Sequence, residues 1–543
     1  MTAQVRRSEL ISSAGGIREY RADVLVLGGG PAGTWSAISA SQSGASVILV
    51  DKGFCGTSGA TAPSGTGVWY VDPDPEKREN AMASREELGG YLQDRRWMSR
   101  VLDRTYDNIH RLAEWGYPFH VDDLGFQRPG SLMGPEYMRL MRKRSKQAGA
   151  RILDHSPALE LLTDEHGVVA GASGIHRQSA ERWIVHAGAV VVATGGCAFL
   201  SKALGCNVLT GDGQLMAAEV GAELSGMEFS NAYAMSPAFG SVTKTRFYDW
   251  ASFTDADGNP IPGAQSKRGR SVIARWLLKE PVYAQLDKAD EPTKRAMRLA
   301  QPNFFLPLDR TGIDPFTQRF PITLRLEGTV RGTGGLRIVD DSCATSVEGL
   351  YAAGDAATRE LICGGFTGGG SHNAAWAMSS GYWAGASAAD HARSIGVSRI
   401  ARPVRHAGNV ALRAGKTPPF DPARVTRAVQ NEVFPYERNY FRHGPGLEES
   451  LSRLDALWSD IAKTDAADAL GVAKAREATA MVATARWMYR SALERSESRG
   501  MARRLDFPQL DDGPRYHVHS GGLDEVWTRR SVVSQSVILE TAA

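Results

Sequence analysis

Two short apolar runs, Val24-Leu-Val-Leu27 and Val47-Ile-Leu-Val50, are each one strand long and carry no polar position inside. They bracket a stretch rich in alanine and serine, Thr34 to Ser43, that reads as a helix. Strands apolar on every position belong to a parallel sheet covered on both faces, so the first 52 residues predict a βαβ unit. The pattern returns at Ala189-Val-Val-Val-Ala193, a further buried strand that meets Thr194-Gly195-Gly196. It returns again at Val347-Glu-Gly-Leu-Tyr-Ala-Ala-Gly354-Asp355, a short strand entering a helix start. Between these, Arg100 to Trp115 and Glu136 to Ala148 read as helices, and Gly116-Tyr-Pro-Phe119 stops the first of them. Arg151 to Gly167, Gly171 to Gln178 and Glu181 to His186 read as β segments. From Gly226 to Leu326 the βαβ rhythm is lost, which predicts a second domain. From Asp421 to about Arg503 the pattern is helical, with Leu451, Leu454 and Leu457 on one apolar stripe.

The turn after the first strand is Gly28-Gly-Gly30-Pro31-Ala32-Gly33. In a dinucleotide site Gly28 permits the tight turn, Gly30 lets the backbone approach a pyrophosphate, and Gly33 lets helix and strand pack closely. The pyrophosphate would sit on the helix N-terminus, and Asp51, which ends the second strand, would accept from a ribose. A chain that returns some 300 residues later with Gly354-Asp355 suits one long, extended cofactor, so the expected dinucleotide is FAD. The loop Gly56-Thr57-Ser58-Gly59-Ala60 to Gly67 has only small side chains and would lie flat against it.

Charge adds little: 63 basic and 60 acidic residues give a net +3, too balanced to argue for nucleic acid or an anionic membrane. No apolar stretch approaches the roughly 20 residues that span a bilayer. Met1 to Tyr20 has no apolar signal core and reads as the polar arm of a cytoplasmic protein. Cys55, Cys197, Cys206, Cys343 and Cys363 show no CxxC spacing, so an iron-sulfur or zinc site within the chain is not expected. Electrons from a flavin would then pass to oxygen, a diffusible acceptor or another polypeptide.

Four blocks resemble the flavoprotein family of fumarate reductase and succinate dehydrogenase, whose members include L-aspartate oxidase and the flavoprotein of adenylylsulfate reductase. They are Gly28 to Lys52 with Ser58-Gly59-Ala60; Ala193-Thr-Gly-Gly196 leading to Thr210-Gly-Asp212-Gly; Gly349 to Asp355; and Glu494-Arg-Ser-Glu-Ser498-Arg499-Gly500, followed by Asp506-Phe-Pro508 and Asp511-Asp512. The resemblance implies an α/β fold: a Rossmann-like FAD-binding domain (1–225 and 331–400) interrupted by a capping domain (226–330), then a C-terminal helical domain (401–543). It implies hydride transfer between a substrate and flavin N5, at a site between the FAD and capping domains. Expected cofactor residues are Gly28, Gly30, Pro31, Ala32, Gly33, Asp51, Lys52, Thr57, Ser58, Gly59, Ala60, Ala158, Ala193, Thr194, Gly195, Asp212, Gly354, Asp355, His372 and Asn373. No metal is expected.

Position by position the resemblance becomes selective. Gly269-Arg270-Ser271 matches the segment that carries the family's catalytic arginine, making Arg270 the acid/base candidate, or a solvated member of the basic run Lys267-Arg268. His372 falls in the loop expected at the flavin ring, where catalysis and a plain backbone hydrogen bond are both open. Tyr233 and Arg331 occupy substrate-facing positions, with packing or surface roles as alternatives; Glu497 and Arg499 read as structural ion-pair residues. Where dicarboxylate enzymes carry ligands, this chain has Tyr233, Val330 and Gly368. Each charge-assisted contact contributes about 1.5–3 kcal/mol, so a simple dicarboxylate is disfavoured. The segment Phe434 to Phe441 leans toward the adenylylsulfate reductase branch. Gly59 stands where membrane-complex members attach FAD through histidine, which implies noncovalent FAD. The expected protein is an FAD oxidoreductase for a small-molecule substrate other than a simple dicarboxylate, oligomeric or not. L-aspartate oxidase or fumarate reductase activity with an altered pocket, and an electron-transfer flavoprotein working with a ferredoxin-like iron-sulfur protein, remain open as alternatives.

Overall fold

The computed structural model describes residues 8–14, 16–121, 127–267, 269–367, 371–396, 400, 402–412, 421–463 and 469–533. The apolar runs form the centre of the largest sheet. Strand Ile17–Leu27 lies between Val47–Val50 and Arg182–Val192, parallel to both, and Val47–Val50 pairs with Arg151–Leu153. Val24, Leu25, Val190, Val191 and Val192 are fully buried, as continuous apolar strands require. The two β segments expected at Glu181 and Ala189 are one strand, Arg182–Val192, whose first half pairs with Val169–Ile175 and whose last three residues pair with Leu350–Ala352. The late strand, far away in sequence, therefore completes the sheet beside the end of Arg182–Val192. Helix Pro31–Gln42 covers one face and packs on the long helix Ser371–Ile395, where Gly381 and Gly385 leave no room for a Cβ against Ala32 and Ser36.

The N-terminal segment differs from the polar arm expected. Glu9–Ala14 pairs antiparallel with the start of Ile17–Leu27, so the described part is an edge strand of the sheet; residues 1–7 lie outside the described residues.

Between 226 and 330 the chain builds a separate antiparallel sheet from Ala232–Pro237, Phe320–Glu327, Val282–Gln285 and Ser252–Thr254, in that order. The short strands at either end of this excursion, Leu224–Ser225 and Gly335–Leu336, pair with each other. Leu224–Ser225 also pairs with Tyr516–Gly521, which forms a hairpin with Trp527–Val532. The C-terminal region is thus not helical alone. Helices Pro422–Val433, Gly444–Ile461 and Ala469–Glu494 form its body and bury Leu451, Leu454 and Leu457, and its hairpin extends the small sheet at the entry to the cap through Leu224–Ser225. Arg405–His406 pairs with the edge strand Ala158–Thr163, so a boundary at 401 leaves one strand of the main sheet on the wrong side. Among the described residues no helix is long and apolar enough to cross a membrane.

Candidate active site

A cavity of about 1040 Å³ runs between the main sheet, the cap and the C-terminal region. Small-ligand pockets span roughly 300–1,000 Å³, so this volume suits a dinucleotide with room for a second reactant.

At one end the strand Ile17–Leu27 delivers Gly28, Gly30, Pro31 and Ala32 to the cavity wall. Gly28 has φ +107°, and a Cβ there would overlap the Ala193 carbonyl; one at Gly33 would overlap the Gly28 carbonyl. Only glycine fits either place. Gly30 is different: a Cβ there meets nothing within 4 Å, because it points into the cavity. That open space above a helix start is what an incoming pyrophosphate needs. Ser58, Gly59, Ala60, Ala158, Ala193 and Gly195 also line the cavity. So do Thr194, Gly354, Asp355 and Asn373. Thr194 Oγ1 and Asn373 Oδ1 are buried there without a hydrogen-bond partner among the described residues, as expected of groups that a bound molecule satisfies. The cavity and its lining fit FAD.

Asp51, Lys52 and Asp212 also line the cavity, but their side chains are engaged by other residues, and Thr57 and Gly33 lie outside the lining. Asp51 Oδ2 accepts from the Gly29 amide at 2.7 Å, and its Oδ1 accepts from the Gly53 amide and Ser58 Oγ, each at 2.7 Å. Little of its acceptor capacity is left for a ribose. Lys52 donates to Thr210 Oγ1 at 2.8 Å and pairs with Asp212 at 2.7 Å and Glu477 at 2.8 Å, which uses all three of its protons. Lys52 and Asp212 therefore tie the loop to the C-terminal helix Ala469–Glu494. Thr57 is exposed, outside the cavity lining, and its hydroxyl donates to the Phe54 carbonyl at 3.4 Å. Gly33 acts through packing alone.

The cap brings Arg270, Arg331 and Lys244 to the other end. Arg270 opens helix Arg270–Leu277, and its Nη1 donates weakly to the Tyr233 carbonyl at 3.4 Å while its Nε is buried with no partner among the described residues. It is not the solvated arginine of a basic run. Burial and then the like charge of Arg331 pull its pKa below the ordinary guanidinium range. Arg331 Nη1 donates to Glu327 Oε2 at 3.1 Å, and its Nε too is buried without a partner among the described residues. Burial pushes the Glu327 carboxyl upward, but Arg331 and Lys244 together hold it below its usual range. The fully buried Glu327 thus anchors Arg331, and Thr243 Oγ1 donates to it at 2.7 Å.

Two catalytic candidates are placed differently from the expectation. The Tyr233 hydroxyl faces the C-terminal region, donating to the Val433 carbonyl at 2.8 Å and approaching the Phe434 carbonyl at 3.2 Å. Burial, with Tyr489 close by, raises its pKa well above that of an ordinary phenol. Its role is to hold, and its backbone faces Arg270. His372 is buried outside the lining, with its ring 4.3 Å from that of Trp69 and Nδ1 3.1 Å from Ser371 Oγ. Gly368 and Arg268 lie outside the described residues. Sequence reasoning missed Lys244, Tyr440 and Arg503, which all line the cavity; none sits in a local pattern that would announce it.

The description "FAD binding domain" matches residues 23–237 and "Fumarate reductase flavoprotein C-term" matches residues 431–540. One subunit of the fumarate reductase (CoM/CoB) of Methanothermobacter marburgensis is 25% identical, covering 90% of this chain and 95% of its own. An L-aspartate oxidase of Streptomyces coelicolor is 26% identical over 62% of this chain and 63% of its own. Among solved structures, a quinol fumarate reductase flavoprotein from E. coli superposes with a TM-score of 0.78 at 20% identity, covering 97% of this chain and 98% of that one. Adenylylsulfate reductase from Archaeoglobus fulgidus gives 0.77 at 19% identity, covering 98% of each chain. With an FAD-binding domain at its start, this C-terminal domain at its end and the fold shared throughout, the chain belongs to the fumarate reductase and succinate dehydrogenase flavoprotein family of FAD-dependent oxidoreductases.

Proposed function

We propose that this oxidoreductase acts on an organic anion other than a simple dicarboxylate, held by Arg270 and Arg331 against a noncovalent FAD. The observation that carries the reading is the pair of half-buried arginines whose buried Nε atoms have no partner among the described residues and which line one cavity with the FAD-binding glycines. A buried, unsatisfied cationic donor costs free energy until an anion meets it. FAD supplies a two-electron centre that exchanges a hydride with a substrate carbon. Arg270 and Arg331 bind and orient the anionic group, and Glu327 sets the direction of Arg331. The reading against simple dicarboxylates rests on Tyr233 and Val330, which bring no cation or free donor where such ligands are expected.

The noncovalent cofactor is supported by Gly59, which has no atom able to form the bond and has open space where a side chain would stand. An iron-sulfur protein is the electron partner we favour over oxygen. The five cysteines are free, buried and apart, and no group of His, Cys, Asp and Glu suited to a metal occurs among the described residues. Similar proteins are named as subunits, one of them a fumarate reductase flavoprotein subunit of Mycobacterium tuberculosis.

The test is a titration of the oxidised holoenzyme followed by flavin absorbance. Succinate, fumarate, malate and L-aspartate should barely perturb the spectrum, while bulkier aromatic and branched carboxylates should perturb it. Micromolar binding or brisk turnover with any of the four small acids would overturn the substrate reading. Slow reoxidation of the reduced flavin in air supports a protein acceptor, and prompt reoxidation supports an oxidase.

A further inference from the structure

One guanidinium joins the cofactor wall of the cavity to the turn that carries Arg331. Arg359 is wholly excluded from solvent and lies outside the cavity lining. Its Nη1 donates to Asp355 Oδ1 at 2.6 Å, and Asp355 lines the cavity beside Gly354. Its Nη2 meets the carbonyls of the helical turn Gly328–Arg331, donating to Thr329 at 3.1 Å, to Val330 at 3.3 Å and to Gly332, the residue that ends the turn. The backbone strengthens the same seam. The Arg359 amide donates to the Thr333 carbonyl at 2.8 Å, and Thr358 Oγ1 donates to the same oxygen at 3.1 Å. Asn373, also on the cavity wall, donates through Nδ2 to the Val330 carbonyl at 2.9 Å.

A turn of four residues has little stability of its own. This one closes through the Gly332 amide on the Gly328 carbonyl at 2.8 Å, and Arg359 and Asn373 supply the donors for Thr329 and Val330. Arg331 is its last residue, so the aim of that side chain depends on the turn as well as on Glu327. The two ends of Arg359 call on different properties. Holding the turn takes the planar fork, because a lysine ammonium is a single point charge that cannot serve Asp355 and several carbonyls together. Holding Asp355 ionised takes only a charge. Burial pushes the Asp355 carboxyl upward; the charge of Arg359, then that of Lys244, works against the rise, and Glu327 adds to it. The Cys206 thiol, also within reach of Asp355, is pushed up to about 12 by burial and stays neutral.

We propose that Arg359 is a positioning residue that fixes the cofactor-facing carboxylate of Asp355 and the substrate-facing Arg331 relative to each other. Its second half rests on the reading that Arg331 binds an organic anion. Arg359 acts at the cofactor through Asp355, which can accept from a hydroxyl of FAD, and at the anion through Arg331. Its charge serves the first task and its fork the second, so glutamine and lysine at this position separate the two.

The test measures FAD affinity between pH 5 and 9 from the flavin fluorescence released on dilution of the holoenzyme. It measures the affinity for benzoate, the anionic probe, from flavin absorbance at saturating FAD. In Arg359→Gln the pH below which FAD affinity falls should move upward, because a protonated Asp355 accepts poorly from a cofactor hydroxyl. Arg359→Lys should restore that profile. Both variants should weaken benzoate binding at least about fivefold. When Arg331→Gln is already present, which keeps Arg270, neither should weaken it more than about twofold, since a positioning residue has no effect without the group it positions. An FAD affinity lowered by one factor at every pH in Arg359→Gln, or a benzoate loss that persists undiminished beside Arg331→Gln, overturns the proposal. If the Arg359 variants do not fold, Asp355→Asn, which frees one end of the same guanidinium, takes their place in the cycle with Arg331→Gln, and additive losses overturn the proposal. Benzoate without effect on the unsubstituted holoenzyme is a failure of the organic-anion reading and takes the Arg331 half with it, while the pH profile still decides the Asp355 half.

Discussion

Arg495 sends two hydrogen bonds to a single carboxylate oxygen of Glu228, from Nε at 2.9 Å and Nη2 at 2.7 Å, and both side chains are wholly excluded from solvent. Glu228 opens the cap and Arg495 lies in the C-terminal signature, so the pair joins the two regions that close the cavity. Arg495 also binds Glu497, which accepts from Arg499 Nε at 2.8 Å, and Arg442 donates to the Glu228 carbonyl at 2.6 Å. Glu497 and Arg499 are the structural ion-pair residues that their sequence context implies.

Burial pushes the Glu228 carboxyl up to about 7, against the pull of Arg495, while the Glu360 charge adds to the rise. A folded-state pKa above the ordinary 4.5 means the folded chain holds a proton that the unfolded chain has released. The stabilisation is therefore complete below about 4.5 and is lost as pH rises toward 7. Glu228→Gln removes that dependence. Its melting temperature relative to the unsubstituted protein should climb between pH 5 and 8 by at least about 2 °C. A constant difference across that range would refute the assignment.

Acid precipitation of the holoenzyme should leave the yellow chromophore in the supernatant, because Gly59 offers no attachment atom. Flavin retained in the denatured pellet would show a covalent link elsewhere.

The two turn glycines should fail in different ways. Gly30→Val adds bulk only to the cavity, so the variant should fold with an unchanged circular dichroism spectrum and lose FAD. Gly28→Ala forces a side chain into the Ala193 carbonyl at φ +107° and should destabilise the chain with or without cofactor. Full flavin occupancy in folded Gly30→Val would remove that residue from the pyrophosphate site.

Arg270→Lys keeps a charge but loses the planar fork that two anion oxygens require. Stopped-flow reduction or oxidation of the flavin with an active acid should slow at least about tenfold, corresponding to roughly 1.4 kcal/mol of lost transition-state stabilisation. Rates within twofold in both Arg270→Lys and Arg270→Ala would take Arg270 out of the mechanism.

For Tyr233→Phe the expectation is the reverse. The hydroxyl serves the Val433 and Phe434 carbonyls, so its loss should lower unfolding stability by about 0.5–1.5 kcal/mol and leave anion affinity unchanged. Urea titration together with benzoate titration of the flavin absorbance separates the two effects.

How far the sequence reveals the site depends on where each residue's partners lie. The Gly28 to Gly33 turn is legible because its constraints are met within one βαβ unit: Gly33 faces Gly28, and Asp51 ends the next strand. The Lys52 ion pair with Glu477, which arrives from the far end of the chain, has no local signal. Tyr233 looks catalytic until Val433 fixes its hydroxyl. The edge strand Glu9–Ala14 escapes notice because Glu-Leu-Ile-Ser-Ser-Ala carries no clean alternation, and its neighbour provides the pairing. Arg405–His406 and the hairpin at Tyr516–Gly521 are similarly short strands defined by the edges they join.

The position of Leu350–Ala352 beside Arg182–Val192 has a consequence for how the protein is made. A nascent chain that has left the ribosome as far as residue 225 carries the glycine turn but has an open sheet edge and no Gly354 or Asp355. Lys52 at that stage still lacks Glu477, and Leu224–Ser225 still lacks Tyr516–Gly521. Domains that are contiguous in sequence can mature during synthesis in order of emergence. Here the sheet that carries the glycine turn gains its last parallel strand only after the intervening cap has been made. The edge beside Arg182–Val192 therefore stays uncovered while the whole cap is being synthesised.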